Sequence, residues 1–148
     1  MKNKTILFVC TGNTCRSPMA EVLARAMASE RGLSLDFRSA GIRASGGQPA
    51  SKEAREILAE EGLDLSGHRS RSLDESGGVD LILVMEASQR EALDGFGSQV
   101  LLFSEWAGES TPGPDLEDPY GQERAAYEAT FRRILEYLEE GFRRIEQG

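Results

Sequence analysis

Apolar positions along the chain follow two alternating rhythms. Short runs rich in Val, Ile, Leu or Phe recur at Thr5–Val9, Leu35–Ser39, Val79–Met85 and Val100–Phe103, and these predict strands. The third run, Val-Asp-Leu-Ile-Leu-Val-Met, is apolar at almost every place, as in a parallel strand buried on both faces. Between the runs the spacing changes to threes and fours. Met19, Val22, Leu23, Ala26 and Met27 predict a helix after Ser17-Pro18, with Ser17 as its N-cap and the proline in the first helical position. A second helix is predicted from about Ser51 to Glu61, ended by Gly62, and a short third one from Ala87 to Leu93. The clearest is the last, where Tyr127, Phe131, Ile134, Leu138, Phe142 and Ile145 share one stripe, read as core packing.

Strand and helix in alternation imply an α/β fold: a three-layer α/β/α arrangement with a small, four-stranded parallel sheet and right-handed crossovers. The Gly-, Ser- or Pro-rich segments 41–48 and 107–119 read as surface loops and not as linkers, so residues 1–148 are expected to form one domain. In such sheets ligands bind beyond the carboxyl ends of the strands, at the switch point. The loop after the first strand takes that place if later strands pair on both sides of it.

That loop carries the chemistry. Cys10-Thr11-Gly12-Asn13-Thr14-Cys15-Arg16-Ser17 puts a thiol, a run of backbone N–H groups, a helix N-terminus and a guanidinium around one anion-sized space. All three kinds of donor favour a thiolate at Cys10, and the same groups suit the non-bridging oxygens of a phosphoryl group. The expected phosphate-binding set is therefore Thr11, Gly12, Asn13, Thr14, Cys15, Arg16 and Ser17. Arg16 offers a bidentate fork that a lysine lacks. Gly12 is expected to let the backbone turn its N–H inward, and Asn13 to accept a left-handed conformation. Ser17 could donate its hydroxyl to the sulfur. The lysine and glycine spacing of a nucleotide P-loop are missing. Displacing a phosphate also needs a general acid, and Asp118, ahead of Pro119 and the last helix, is the candidate, with Asp115 and Glu117 as less attractive alternates. Alone, Asp118 would read as a helix cap or an Asp-Pro turn.

Charge and cysteine count narrow the classes. The 148 residues carry a net charge of −8, from 25 acidic and 17 basic side chains, and the basic ones are scattered, the nearest cluster being Arg69 and Arg71. Nucleic acid is not expected as a partner. Two cysteines five apart make no disulfide framework, and with His68 the only histidine no zinc site is expected, nor any other cofactor. No apolar run approaches the roughly 18–20 residues of a membrane span, and the stretch after Lys2 and Lys4 is too short for a signal peptide. A cytoplasmic protein, with no membrane partner, is expected.

Cys-x5-Arg-Ser directly after the first strand, then Pro18-Met19-Ala20-Glu21, with Asp118-Pro119 near the C-terminus, resembles the low-molecular-weight protein tyrosine phosphatases over nearly the whole chain. The resemblance implies Cys10 as nucleophile, Arg16 as ligand of the phosphate and transition state, and Asp118 as acid and then base. It also implies that Asn13, Ser17, Ser39 (in Ser39-Ala40-Gly41) and His68 hold the loop in shape by hydrogen bonds. Read alone, His68 is equally an exposed loop histidine. Phosphorylated proteins would be the substrates, and a monomer is expected. Related thiol-coupled arsenate reductases need further cysteines that this chain lacks. A phosphate-recognition module without turnover is the rival from another class, and it would need neither Cys10 nor Asp118.

Tyrosine-directed members usually carry a larger apolar residue at position 14 and an apolar one at 11, whereas both are threonine here. In this the loop resembles the bacterial protein arginine phosphatases of the same family. A phosphorylated guanidinium is planar, cationic and rich in N–H donors, and Thr14 offers it an acceptor with little bulk. Tyr120 after Asp118-Pro119 is more typical of the tyrosine-directed branch, so Thr14 and Tyr120 are the expected specificity residues. Cys15 reads either as a small loop residue facing the core or as a redox partner that pairs with Cys10 and protects it from over-oxidation.

Overall fold

The computed structural model describes residues 4–73 and 78–148; Lys2, one of the two N-terminal lysines weighed above, lies outside them. Four strands, β1 (Lys4–Cys10), β2 (Leu35–Gly41), β3 (Leu81–Val84) and β4 (Gln99–Leu102), form one sheet in the order β2-β1-β3-β4. Every pairing is parallel. The chain thus leaves β1 with a neighbour on each side, which makes the end of β1 the switch point where ligands are bound. The expected α/β class and the four parallel strands are both observed.

Side chains alternate between the two faces of the sheet as strand geometry requires. Ile6, Phe8, Phe37 and Leu83 enter one apolar cluster together with residues from α1 (Arg16–Glu30), α2 (Lys52–Glu60) and α5 (Arg124–Gln147). Leu7, Val9, Ala40, Ile82 and Val84 enter the other, which is closed by Leu93 after α3 (Ala87–Ala92) and by Ile42, Leu73, Val79 and Val100. The central apolar run of β3 is therefore buried on both faces, as its composition implies. An aromatic group at the centre ties the layers together: Phe8 stacks on Phe37 at 5.9 Å, and Phe37 meets Phe142 of α5 edge-on at 5.9 Å.

Several element ends differ from the sequence reading, each for a local reason. β2 runs two residues further than expected because its register carries the ladder to Cys10 opposite Gly41. β3 stops at Val84 and not at Met85, whose N–H is taken by the side chain of Gln89 at 2.8 Å. β4 stops at Leu102 because Phe103–Trp106 winds into a short helix, α4, with no counterpart in the sequence reading. α2 follows the prediction closely, and Gly62 ends it at φ 78°, a conformation that favours glycine, while Leu63 N–H bonds back to Leu58 O at 2.8 Å. Within the α5 stripe Ile145 is not core: it is 39% exposed, because the helix has by then passed the aromatic cluster that Phe142 closes.

Candidate active site

The loop between β1 and α1 is built around a buried asparagine. Asn13 has φ 58°, the left-handed conformation expected of it, which turns its N–H to the Cys10 sulfur at 3.3 Å. Its side-chain Nδ2 donates to Ser17 Oγ at 2.8 Å and to Ser39 Oγ at 3.0 Å, while Oδ1 accepts from Arg71 N at 2.9 Å. Ser39 in turn donates to Glu21 Oε1 at 2.5 Å, and Glu21 Oε2 pairs with Arg25 at 2.6 Å. Gly41 is required by close approach, since a Cβ there would lie 2.7 Å from Thr11 O and 3.0 Å from Asn13 N. Gly12 has no positive φ, and a Cβ there would meet only Thr14 Oγ1, at 3.7 Å; the left-handed turn of the loop is made by Asn13.

Ser17 is a correction to the sequence reading. The helix begins at Arg16, with Cys15 as the capping residue, so Ser17 lies inside the first turn and caps nothing. Its hydroxyl faces the Cys10 sulfur at 2.9 Å instead.

His68 reaches the loop from the far side, its Nε2 lying 2.8 Å from Asn13 O, and a carbonyl partner makes that nitrogen the donor. Burial pushes the His68 pKa down, outweighing the upward pull of that hydrogen bond and of Glu21. A histidine that folds with a lowered pKa binds protons more readily unfolded, so its contribution to stability is present above about pH 6.5 and is lost as pH falls toward the folded-state value. The thermal midpoint should therefore fall more for the wild type than for His68→Asn between about pH 7.5 and about pH 5.5. Equal falls would show that His68 is not held neutral by the fold.

Arg16 is 1% exposed and its guanidinium is divided between two tasks. Nη1 donates to Leu116 O at 2.7 Å and pairs with Glu86 Oε2 at 2.7 Å. Nε is buried with no partner among the described residues, and Nη2 has only Asp118 Oδ2, at 3.6 Å. One edge of the fork is thus anchored and neutralised, and the other is left for two oxygens of an anion. Glu86 is missing from the sequence reading. Its place just beyond the carboxyl end of β3, on the same rim as Cys10, is the one signal that could have suggested it.

Cys10, Thr11, Gly12, Thr14, Cys15, Arg16, Asp118 and Tyr120 all line one cavity of about 500 Å³, whose other wall is formed by segment 43–45 and 48–51. Asp118 is 44% exposed and its Oδ1 accepts from Tyr120 N at 3.1 Å. It makes a turn and caps no helix, since α5 starts at Arg124. Asp115 and Glu117, the alternates, do not line this cavity, and Asp115 Oδ1 is taken by Ala87 N at 2.9 Å. Tyr120, 70% exposed, stands at the mouth. Both cysteines are free thiols. The Cys15 sulfur lies near Ser51 Oγ (3.5 Å) and Tyr127 OH (3.6 Å), and burial pushes its pKa up. Tyr127 is likewise pushed up to about 12, chiefly by burial. No helix among the described residues is long and apolar enough to cross a membrane.

A parallel sheet whose switch-point loop holds a thiol, an N–H turned to its sulfur and a half-anchored arginine defines a cysteine-based phosphatase site. The model of the family described as low molecular weight phosphotyrosine protein phosphatase matches residues 5–147, and the chain belongs to that family. It is 41% identical over 138 residues, 88% of each chain, to the probable low molecular weight protein-tyrosine-phosphatase EpsP of Ralstonia nicotianae. It is 37% identical over 139 residues, 90% of this chain and 91% of the other, to the protein-arginine-phosphatase of Bacillus subtilis. Among solved structures, a YwlE arginine phosphatase, a cysteine-to-serine variant with its active-site serine phosphorylated, superposes with a TM-score of 0.89 at 34% identity, covering 96% of this chain and 95% of that one.

Proposed function

We propose that this phosphatase removes phosphate from arginine side chains of proteins through a phosphocysteine intermediate. The observation that carries the arginine assignment is Thr14 in the cavity wall, half-buried, with its Oγ1 left one weak partner among the described residues, Cys15 Sγ at 3.8 Å. That hydroxyl is free to accept an N–H of a guanidinium, whereas the face of a phenyl ring would gain more from an apolar residue there. The relationship to the B. subtilis arginine phosphatase supports the same reading.

In this reading the Cys10 thiolate attacks phosphorus as the bond to the leaving nitrogen breaks, and Asp118 gives that nitrogen its proton. Arg16 Nε and Nη2 and the loop N–H groups hold the three non-bridging oxygens as their charge shifts. Asp118 then takes a proton from water, the water oxygen attacks phosphorus, and the sulfur leaves as thiolate while inorganic phosphate departs. The Ser17 hydroxyl, 2.9 Å from the sulfur, donates to it as that negative charge returns.

Tyrosine phosphatase activity is the second reading, favoured by the exposed Tyr120 at the mouth, which could flank a substrate ring, and by the likeness to EpsP. Steady-state kcat/KM on matched phosphoarginine and phosphotyrosine peptides separates the two. The wild type should prefer phosphoarginine, and Thr14→Ile should shift the ratio toward phosphotyrosine by about tenfold or more. A wild-type preference for phosphotyrosine, or a ratio unmoved by Thr14→Ile, would remove the arginine assignment.

A further inference from the structure

Thr11 belongs to the loop, yet its hydroxyl does not turn to the thiol. It accepts from Gln89 Nε2 at 3.2 Å. Gln89 is 4% exposed and sits in the first turn of α3. Its other end is fully used: Oε1 accepts from Met85 N at 2.8 Å and from Glu86 N at 3.0 Å, filling both lone pairs of the amide oxygen. One side chain therefore holds both the turn that bears Glu86 and the loop that bears Cys10.

That turn is also clasped from the acid side. Met85 O accepts from Leu116 N at 2.8 Å, and Leu116 O accepts from Arg16 Nη1 at 2.7 Å. Glu86 completes the ring through its ion pair with Arg16. On the β2 side the loop is fixed by backbone bonds, Ile42 N to Cys10 O at 3.0 Å and Arg43 N to Thr11 O at 2.9 Å. On the β3 side, among the described residues, Gln89 supplies the only side-chain hold on Thr11.

We propose that Gln89 is a positioning residue for phosphate binding. By tying Thr11 to the turn that carries Glu86, it fixes the spacing between the loop N–H groups and the free edge of Arg16. Those two sets of donors must meet the same phosphoryl oxygens, so a shift of either relative to the other weakens both. Thr11, the first threonine of the loop, is thus assigned to the scaffold behind the site and not to the substrate. The inference rests on the reading of this loop as the phosphate site.

Thr11→Val removes the acceptor at constant shape on an exposed residue, Thr11→Ser keeps it, and Gln89→Met removes the amide. The readouts are the competitive inhibition constant of inorganic phosphate, kcat/KM on an aryl phosphate, and the thermal midpoint. Thr11→Val should weaken phosphate inhibition and kcat/KM by about two- to tenfold, the range for one lost hydrogen bond, with the midpoint nearly unchanged. Thr11→Ser, which keeps the acceptor, should retain clearly more of both than Thr11→Val. Gln89→Met should lose at least as much as Thr11→Val, and adding Thr11→Val to it should cost little more. Unchanged phosphate inhibition in Thr11→Val, equal damage in Thr11→Ser, or losses that multiply in the double variant would each overturn the proposal. If Gln89→Met does not fold, the Thr11 pair still decides. A wild type that neither turns over nor binds phosphate would instead defeat the reading of the loop itself, whereas an active wild type with a silent Thr11→Val defeats only the role of Gln89.

Discussion

Cys10→Ser should lose turnover by a factor on the order of 10⁴ or more while still binding inorganic phosphate. In the proposed mechanism Arg16 and backbone N–H groups hold the anion, and of these donors the Asn13 N–H alone is described as turned to the sulfur. The folded loop should also survive, because Asn13 keeps its bonds to Ser17, Ser39 and Arg71. What disappears is the sulfur nucleophile, and a serine hydroxyl is a far weaker one. Any phosphoryl group that does transfer to the serine should persist there, because an alkoxide is a far poorer leaving group than a thiolate. Rate measurements, phosphate competition and mass spectrometry of the variant after exposure to substrate test all three points. Turnover within tenfold of the wild type would remove Cys10 from the chemistry.

Asp118→Asn should lower kcat by about 10²–10⁴-fold on substrates with a poor leaving group, and much less on para-nitrophenyl phosphate. Asparagine keeps the oxygen that accepts from Tyr120 N, so the turn at 118–120 should be preserved. It lacks the proton that a guanidine nitrogen or a phenol oxygen must receive as it departs. Dependence on the leaving group separates an acid from a residue that merely shapes the cavity. Comparable losses on both kinds of substrate would assign Asp118 a shaping role, and the carboxylate 3.6 Å from Arg16 Nη2 would then be best read as part of the arginine's charge balance.

The contrast between these residues shows what the sequence could reveal. Cys10, Asn13, Arg16 and Ser17 lie within eight positions of each other, and local geometry brings them together once a strand precedes and a helix follows. The sheet was equally legible, because the apolar run of β3 admits burial on both faces and little else. Glu86 and Gln89 are different. Their meaning comes from contacts across 70 and 78 positions, and only its place after the third strand sets Glu86 apart from the other carboxylates of this acidic chain. The failed N-cap has a nearer cause. Ser17 followed by proline is a sound local signal for a cap, but Asn13 and Cys10 compete for that hydroxyl and the helix starts two residues earlier. Ile145 keeps helical period with the stripe yet lies past the end of the aromatic cluster, which the period of a sequence does not record.

The row of hydrogen bonds from Glu21 through Ser39 and Asn13 to Ser17 has a direction as well as a shape. A carboxylate only accepts, so Ser39 must spend its one hydrogen on Glu21. Its oxygen is then available to the Asn13 amide, whose other hydrogen goes to Ser17. Ser17 is left as an acceptor on that side, and its own hydrogen points to the sulfur of Cys10. Orientation is passed along the chain like a current with a single sense, and its source is a buried glutamate of α1, paired with Arg25. The polarity of the hydroxyl that greets the sulfur is thereby set from a site that never meets the substrate.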